Sequence, residues 1–280
     1  MNEIEEIKKM VREKYTEIAT QDKDTNASSC CGSTCCSDEV YHLMADDYSK
    51  MEGYQASADL GLGCGLPTEF AKIKKGDVVI DLGSGAGNDC FVARAETGET
   101  GKVIGIDMTE AMIALARMNA EKLNFNNVEF RLGDIEKMPV TSAIADVVVS
   151  NCVLNLVPEK QKAISEIYRV LKPGGHFSIS DIVLKGTLPP SLLRTAELYA
   201  GCISGAVQKD HYLGMIKDAG FENIIIQKEK PIHVPDDILK EYLNEAELAE
   251  YKNAGVGIFS VTVYAEKKKE PCCDPVNKCC

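Results

Sequence analysis

Three cysteines sit in unusual local settings: Cys64 in LGCGLP, Cys152 in SNCVLNLVP and Cys202 in AGCISGA. A thiolate is both a nucleophile and a soft ligand, so a cysteine at the edge of a cleft can attack, coordinate or exchange sulfur bonds. Free cysteine is also among the most buried residue types, which makes packing the default reading for any one of them. Cys152 departs from that default by its position. It follows Asn151 at the carboxyl end of the apolar run ADVVVSN and therefore opens onto whatever binds there. Cys64 lies in a glycine-rich loop able to fold over the same edge. Cys202 ends a helical segment and is followed by Gly205. Cys90, on the helix after a glycine turn, reads instead as a small buried hydrophobe.

A second constellation lies between Cys64 and Cys152. VVIDLGSGAGND places Asp81 and then Gly83, Gly85 and Gly87 between an apolar run and a helix start. Alternate glycines let the backbone turn tightly and approach a ligand closely. Asp107, twenty residues beyond Gly87, ends VIGID and can bind two ribose hydroxyls. Asp134 ends EFRLGD and Asn151 ends DVVVSN. These signals fall at the carboxyl ends of predicted parallel strands, where open α/β sheets bind ligands. A dinucleotide dehydrogenase prefers G-x-G-x-x-G and needs free N–H groups for a pyrophosphate. Here the spacing is G-x-G-x-G, and Asp81 would sit badly beside a pyrophosphate. It suits a ligand carrying an ammonium and a sulfonium.

The elements that must position these residues follow from periodicity. Ile4, Ile7, Val11, Tyr15 and Ile18 predict an amphipathic helix over residues 2–20. A polar, cysteine-rich loop follows, and a second helical stretch is expected from near Asp38 past Lys50, broken by LGLGCGLP. From Asp77 onward, strands alternate with helices: DVVIDLG, KVIGID, a helix with Thr109 as N-cap, VEFRLGD, ADVVVSN, a helix stopped by KPGG, and HFSISDIV. Near-continuous apolar strands separated by helices imply a mostly parallel sheet covered on both faces. A helix from Pro189–Pro190 to Cys202, a helix over HYLGMIKDAGF and two edge strands, NIIIQKEK and IFSVTVYAEKKK, antiparallel to one another, complete the expected fold.

These residues resemble the class I S-adenosylmethionine-dependent methyltransferases over roughly Gly76 to Asp181, including LKPGGHFSISD. The resemblance implies a Rossmann-like sheet with S-adenosyl-L-methionine as cofactor and no metal cofactor for the chemistry. By it, Gly83, Gly85 and Gly87 would face the methionine part and Asp107 would hold the ribose. Met108 would flank the adenine, Asp134 and Ile135 would contact it, and Asn151 would lie near the methyl end.

The combination GCG, SNCVLN and GCISGA resembles the arsenite methyltransferases, with similarity from about Asp46 to Gly220. By that resemblance Cys64, Cys152 and Cys202 would bind trivalent arsenic, presented as a thiol complex. Cysteines would then reduce the product, leaving a disulfide for a small thiol or thioredoxin to reopen. Cys30, Cys31, Cys35 and Cys36 lie where the family carries an arsenite-capturing pair; zinc binding and redox roles remain open for them. Two other readings stay in play: a methyltransferase for an organic small molecule with the cysteines merely packing, and a thiol-rich soft-metal-binding protein on a methyltransferase fold.

Bulk properties set outer bounds. The 280 residues are 45% hydrophobic and 26% charged with a net charge of −12, and they include twelve cysteines. The acidic balance argues against a nucleic-acid partner. No apolar run is long enough to span a bilayer, and the charged start shows no signal-peptide pattern, so the expected location is the cytoplasm. The expected organisation is a helix and cysteine-rich segment over 1–46, a cofactor-binding core over 47–190, a C-terminal part with the arsenic-binding helix and last strands over 191–267, and a flexible cysteine-rich tail over 268–280.

Overall fold

The structure is a computed structural model that describes residues 3–20, 46–188, 205–233, 236, 239–240, 243–253 and 256–269. The expected cysteine-rich loop with Cys30, Cys31, Cys35 and Cys36, the helix leading to Cys202, Cys202 itself and the cysteine-rich end of the tail lie outside these residues.

Among the described residues eight strands form one sheet: β1 (Val78–Leu82), β2 (Lys102–Asp107), β3 (Val128–Leu132), β4 (Ala145–Asn151), β5 (Leu171–Lys185), β6 (Val207–Gln208), β7 (Phe221–Ile232) and β8 (Gly257–Lys267). Their order is β3-β2-β1-β4-β5-β8-β7, with the short β6 paired to β5. Pairings from β3 to β5 are parallel, whereas β8 runs antiparallel to both β5 and β7. The antiparallel strand is thus one in from the edge, because β8 inserts between β5 and β7.

The described helices are α1 (Glu3–Ala19), α2 (Pro67–Phe70), α3 (Asn88–Thr97), α4 (Glu110–Lys122), α5 (Lys160–Val170), α6 (Lys209–Asp218) and α7 (Glu245–Asn253). The central strands β1, β2 and β4 are largely apolar because each face meets its own core. Val79, Val103, Val147 and Val149 pack with Phe91 of α3 and Ala116 of α4. The alternate residues Ile80, Leu82, Ile104, Ile106 and Val148 pack with Ile164 and Ile167 of α5 and Tyr212 of α6. Side chains alternate across a strand, so a one-residue step moves a side chain from one core to the other.

Two local expectations change. The stretch at Lys50 is a single 3-10 turn, Tyr48–Lys50, capped by Asp47 and ended by Met51 in extended geometry with ψ 136°. The KPGG segment does not separate α5 from its strand: β5 begins at Leu171. The pairing register jumps from Ala145↔Leu171 to Val147↔His176, so the Pro-Gly-Gly residues form an irregular entry. Thr109 does sit at the N-cap of α4, but its hydroxyl serves the Asp107 carboxylate rather than the helix end.

Candidate active site

The carboxyl ends of β1, β2 and β4 border an open cleft. Gly83, Gly85, Asp107, Met108, Asp134, Ile135, Asn151 and Cys152 all line it. Gly85 shows why the turn needs glycine. Its φ is +50°, a region side chains rarely adopt, and a Cβ there would meet nothing within 4 Å, so the backbone faces open cleft. Gly87 has a different job, since a Cβ there would strike Phe91 and Phe130 at 2.9 Å. It lets α3 pack onto β3.

Asp107 is held in place by backbone donors, accepting from Thr109 N–H at 2.8 Å and Gly85 N–H at 3.1 Å. Burial nonetheless raises its carboxyl above the ordinary range. At the far side, the Lys8 ammonium of α1 donates to Asp134 at 2.7 Å and also to Glu136. Lys8, Val11 and Tyr15 place α1 along the cleft wall.

Asp81, expected beside an ammonium group, is 2% exposed and is not among the lining residues. Its carboxylate accepts the Cys90 thiol at 3.1 Å. Burial and that neighbouring carboxylate push the Cys90 thiol well up, so Cys90 stays protonated and structural. Of the two acids flanking the glycine turn, the one that lines the cleft is Asp89, in the first turn of α3. The Tyr48 hydroxyl donates to it at 2.9 Å, Thr68 at 3.4 Å and Asn151 Nδ2 at 3.4 Å. Burial pushes its carboxyl up to about 6, against the opposing pull of these donors.

The sulfur site lies on the other side of Asn151. Cys64 and Cys152 are joined by a disulfide, with Cα atoms 5.8 Å apart. The loop carrying Cys64 is clamped along its backbone. Its N–H donates to Asn151 Oδ1 at 3.0 Å, its carbonyl accepts from Ser260 at 2.6 Å, and the Gly65 carbonyl accepts from Asn151 Nδ2 at 2.9 Å. The glycines of GCG allow this approach: a Cβ on Gly63 would lie 2.6 Å from Asn151 Nδ2, and one on Gly65 2.6 Å from Ser180 Oγ. Cys152 leaves β4 with φ +61° while its N–H donates to Ser180 O at 2.8 Å. A non-glycine residue in that region is strained and is held there by its surroundings. Both sulfurs belong to an apolar cluster with Ile182, Leu184, Ile232 and Ile258, yet Cys152 also reaches the cofactor-side cleft.

Sequence reasoning missed Lys8, Tyr48, Asp89 and Ser260. Asp89 offered a signal, being an acid in the first turn of the helix after the glycine run, but that pattern is also ordinary helix N-terminal chemistry. Lys8 offered none, because its partners lie more than 120 residues away.

A glycine turn and strand-end acids on a sheet of this order define a Rossmann-like, S-adenosylmethionine-dependent methyltransferase. A methyltransferase-domain family model matches residues 73–220. The arsenite methyltransferase of Halobacterium salinarum is 41% identical over 94% of this chain and 67% of its own length. That of Aquipseudomonas alcaligenes is 32% identical over 84% of this chain and 68% of its own. A crystal structure of an arsenic(III) S-adenosylmethionine methyltransferase from Chlamydomonas reinhardtii superposes with a TM-score of 0.63 at 30% identity, covering 83% of this chain and 74% of that one. The chain belongs to the arsenite methyltransferase family, and its cofactor is S-adenosylmethionine.

The cleft fits that cofactor. Ser84 lines it with a buried hydroxyl that has no partner, and Gly85 leaves open space where a side chain would stand. Among the described residues, no helix is long and apolar enough to cross a membrane.

Proposed function

We propose that this protein methylates trivalent arsenic held by Cys64, Cys152 and Cys202. The observation that carries the reading is the meeting of Cys64 and Cys152 beside Asn151, at the edge of the cofactor cleft. Cys202 joins them through the family resemblance. Trivalent arsenic is soft and takes three thiolates in a pyramid, which neutralises its charge and allows the loaded site to lose water. The thiols lose their protons on binding it.

The cofactor supplies an electrophilic methyl group on a positively charged sulfur. Asp107 would hold its ribose, Met108, Asp134 and Ile135 its adenine, and Asn151 its methyl end. The arsenic lone pair forms the new As–C bond while the C–S bond breaks, its electrons staying on sulfur, so no general base is needed. The chain's contribution is alignment and exclusion of water. Methylation leaves arsenic formally oxidised by two electrons. Two cysteine thiolates returning those electrons become a disulfide, which a small thiol or thioredoxin reopens. The Cys64–Cys152 bridge supports this cycle, and such reduction fits a cytoplasmic setting.

The test is to incubate the protein with S-adenosylmethionine, arsenite and a thiol, and to speciate the arsenic. Methylated arsenic is expected, with loss in Cys152→Ser. Unchanged arsenite, or full activity in that variant, would overturn the reading. An organic acceptor would consume cofactor without arsenite.

A further inference from the structure

We propose that Asp89 is the residue that receives the cofactor's α-ammonium group, a role the sequence pattern assigns to Asp81. The two carboxylates are distinguished by where they point. Asp81 is sealed from the cleft and engaged by the Cys90 thiol, whereas Asp89 is half-buried in the cleft wall. The donors on Asp89 are uncharged: the Tyr48 and Thr68 hydroxyls and the Asn151 amide. Two carboxylate oxygens offer about four acceptor sites, so capacity remains for a charged donor. Lys8 is the sole basic residue lining the cleft among the described residues, and its ammonium is taken by Asp134 and Glu136. Among the described residues no uncommitted basic side chain lines the cleft beside Asp89, and the ligand's ammonium can take that place.

Ser84 provides an independent observation. It is 6% exposed and lines the same cleft, and its hydroxyl has no partner. An acceptor carboxylate and an unspent hydroxyl donor in one cleft match the two ends of an amino-acid zwitterion: Asp89 takes the ammonium and Ser84 donates to the carboxylate. Asn151 then acquires a second meaning. Its Nδ2 touches Asp89 while its Oδ1 holds the Cys64 N–H at 3.0 Å, so the group gripping the cofactor also fixes the cysteine loop.

The inference rests on the cofactor assignment and is independent of arsenite. The test is a binding cycle with two ligands, S-adenosylhomocysteine and its analogue lacking only the α-amino group, measured by calorimetry on the full chain. Wild type should bind the analogue roughly 10- to 100-fold more weakly, the range for losing a charge-assisted hydrogen bond. Asp89→Asn should bind both ligands alike, at about the analogue's wild-type affinity. Asp59→Asn, altering another acid in the cleft wall, should preserve the discrimination. Methylthioadenosine, which lacks the whole amino-acid part, should bind wild type and Asp89→Asn equally, showing that the variant folds. Equal binding of the two ligands by wild type would overturn the proposal. So would discrimination that survives in Asp89→Asn, or that disappears in Asp59→Asn instead. Failure of wild type to bind S-adenosylhomocysteine at all would sink the cofactor assignment itself, and the proposal with it.

Discussion

Reduction of the Cys64–Cys152 bridge should loosen the protein by an amount that can be worked out from chain topology. The bridge closes a loop with a sequence separation of 88 residues. In the chain-entropy treatment, freeing a loop of that length raises the entropy of the unfolded state by the equivalent of about 4.6 kcal/mol. The native state loses little, since both cysteines stay in an apolar cluster at 1% and 3% exposure and thiols are tolerated there. Measured losses for native bridges run lower than the entropy figure, so a net change of about 2–4 kcal/mol is expected. For a chain of this size that corresponds to roughly 3–7 °C in melting temperature. The assay is urea unfolding of oxidised and thiol-treated protein, with Cys64→Ser as the control. The other cysteines are unchanged in that variant, so any redox response it keeps belongs to them. The difference between wild type and Cys64→Ser isolates this bridge. An equal redox response in both proteins would refute the pairing. The reduced protein should then regain stability with arsenite, by about 2.7 kcal/mol at a hundred times its dissociation constant. Oxidised protein should not respond.

Three further outcomes are expected. Asp181 is fully buried, and burial pushes its carboxyl up to about 7. The folded state therefore holds a proton that the unfolded chain releases near pH 4, and stability falls as pH rises between those values. Asp181→Asn removes that slope, so its stability relative to wild type should improve by about 3 kcal/mol from pH 5 to pH 8 in denaturant titrations; parallel curves would contradict this. Lys8→Ala should weaken S-adenosylhomocysteine binding several-fold by calorimetry, because Lys8 holds α1 to the cleft acids. Its effect on stability should exceed about 1 kcal/mol, since Lys8 and Glu136 are 14% and 5% exposed and the variant leaves that carboxylate without its ammonium, and unchanged affinity would refute the role given to α1. Gly65→Ala would place a Cβ 2.6 Å from Ser180 Oγ and displace the Cys64 loop. Thiol titration should then find Cys64 and Cys152 unbridged while S-adenosylhomocysteine still binds; a retained bridge would show that the approach is less tight than described.

Much of this protein was legible in local sequence. The parallel core declared itself because both faces of β1, β2 and β4 are buried, which demands unbroken apolar runs with glycines and acids at their carboxyl ends. Cys152 stood out because it falls one residue beyond such a run. Other features depend on residues distant in sequence. No local pattern distinguishes Asp81 from Asp89 as the cleft carboxylate: one side chain meets Cys90 and the other Tyr48 and Asn151, and the direction of each is set by packing of α3 against the sheet. The reach of Lys8 to Asp134 spans 126 residues, and the clamp of Ser260 on the Cys64 carbonyl spans 196. Sequence alone determined the sheet, the cofactor class and the cysteines to watch, because strand burial and turn geometry leave a local imprint on residue choice. Only the tertiary structure decided which acid lines the cleft and which two sulfurs meet, because those outcomes depend on how separate elements pack against one another.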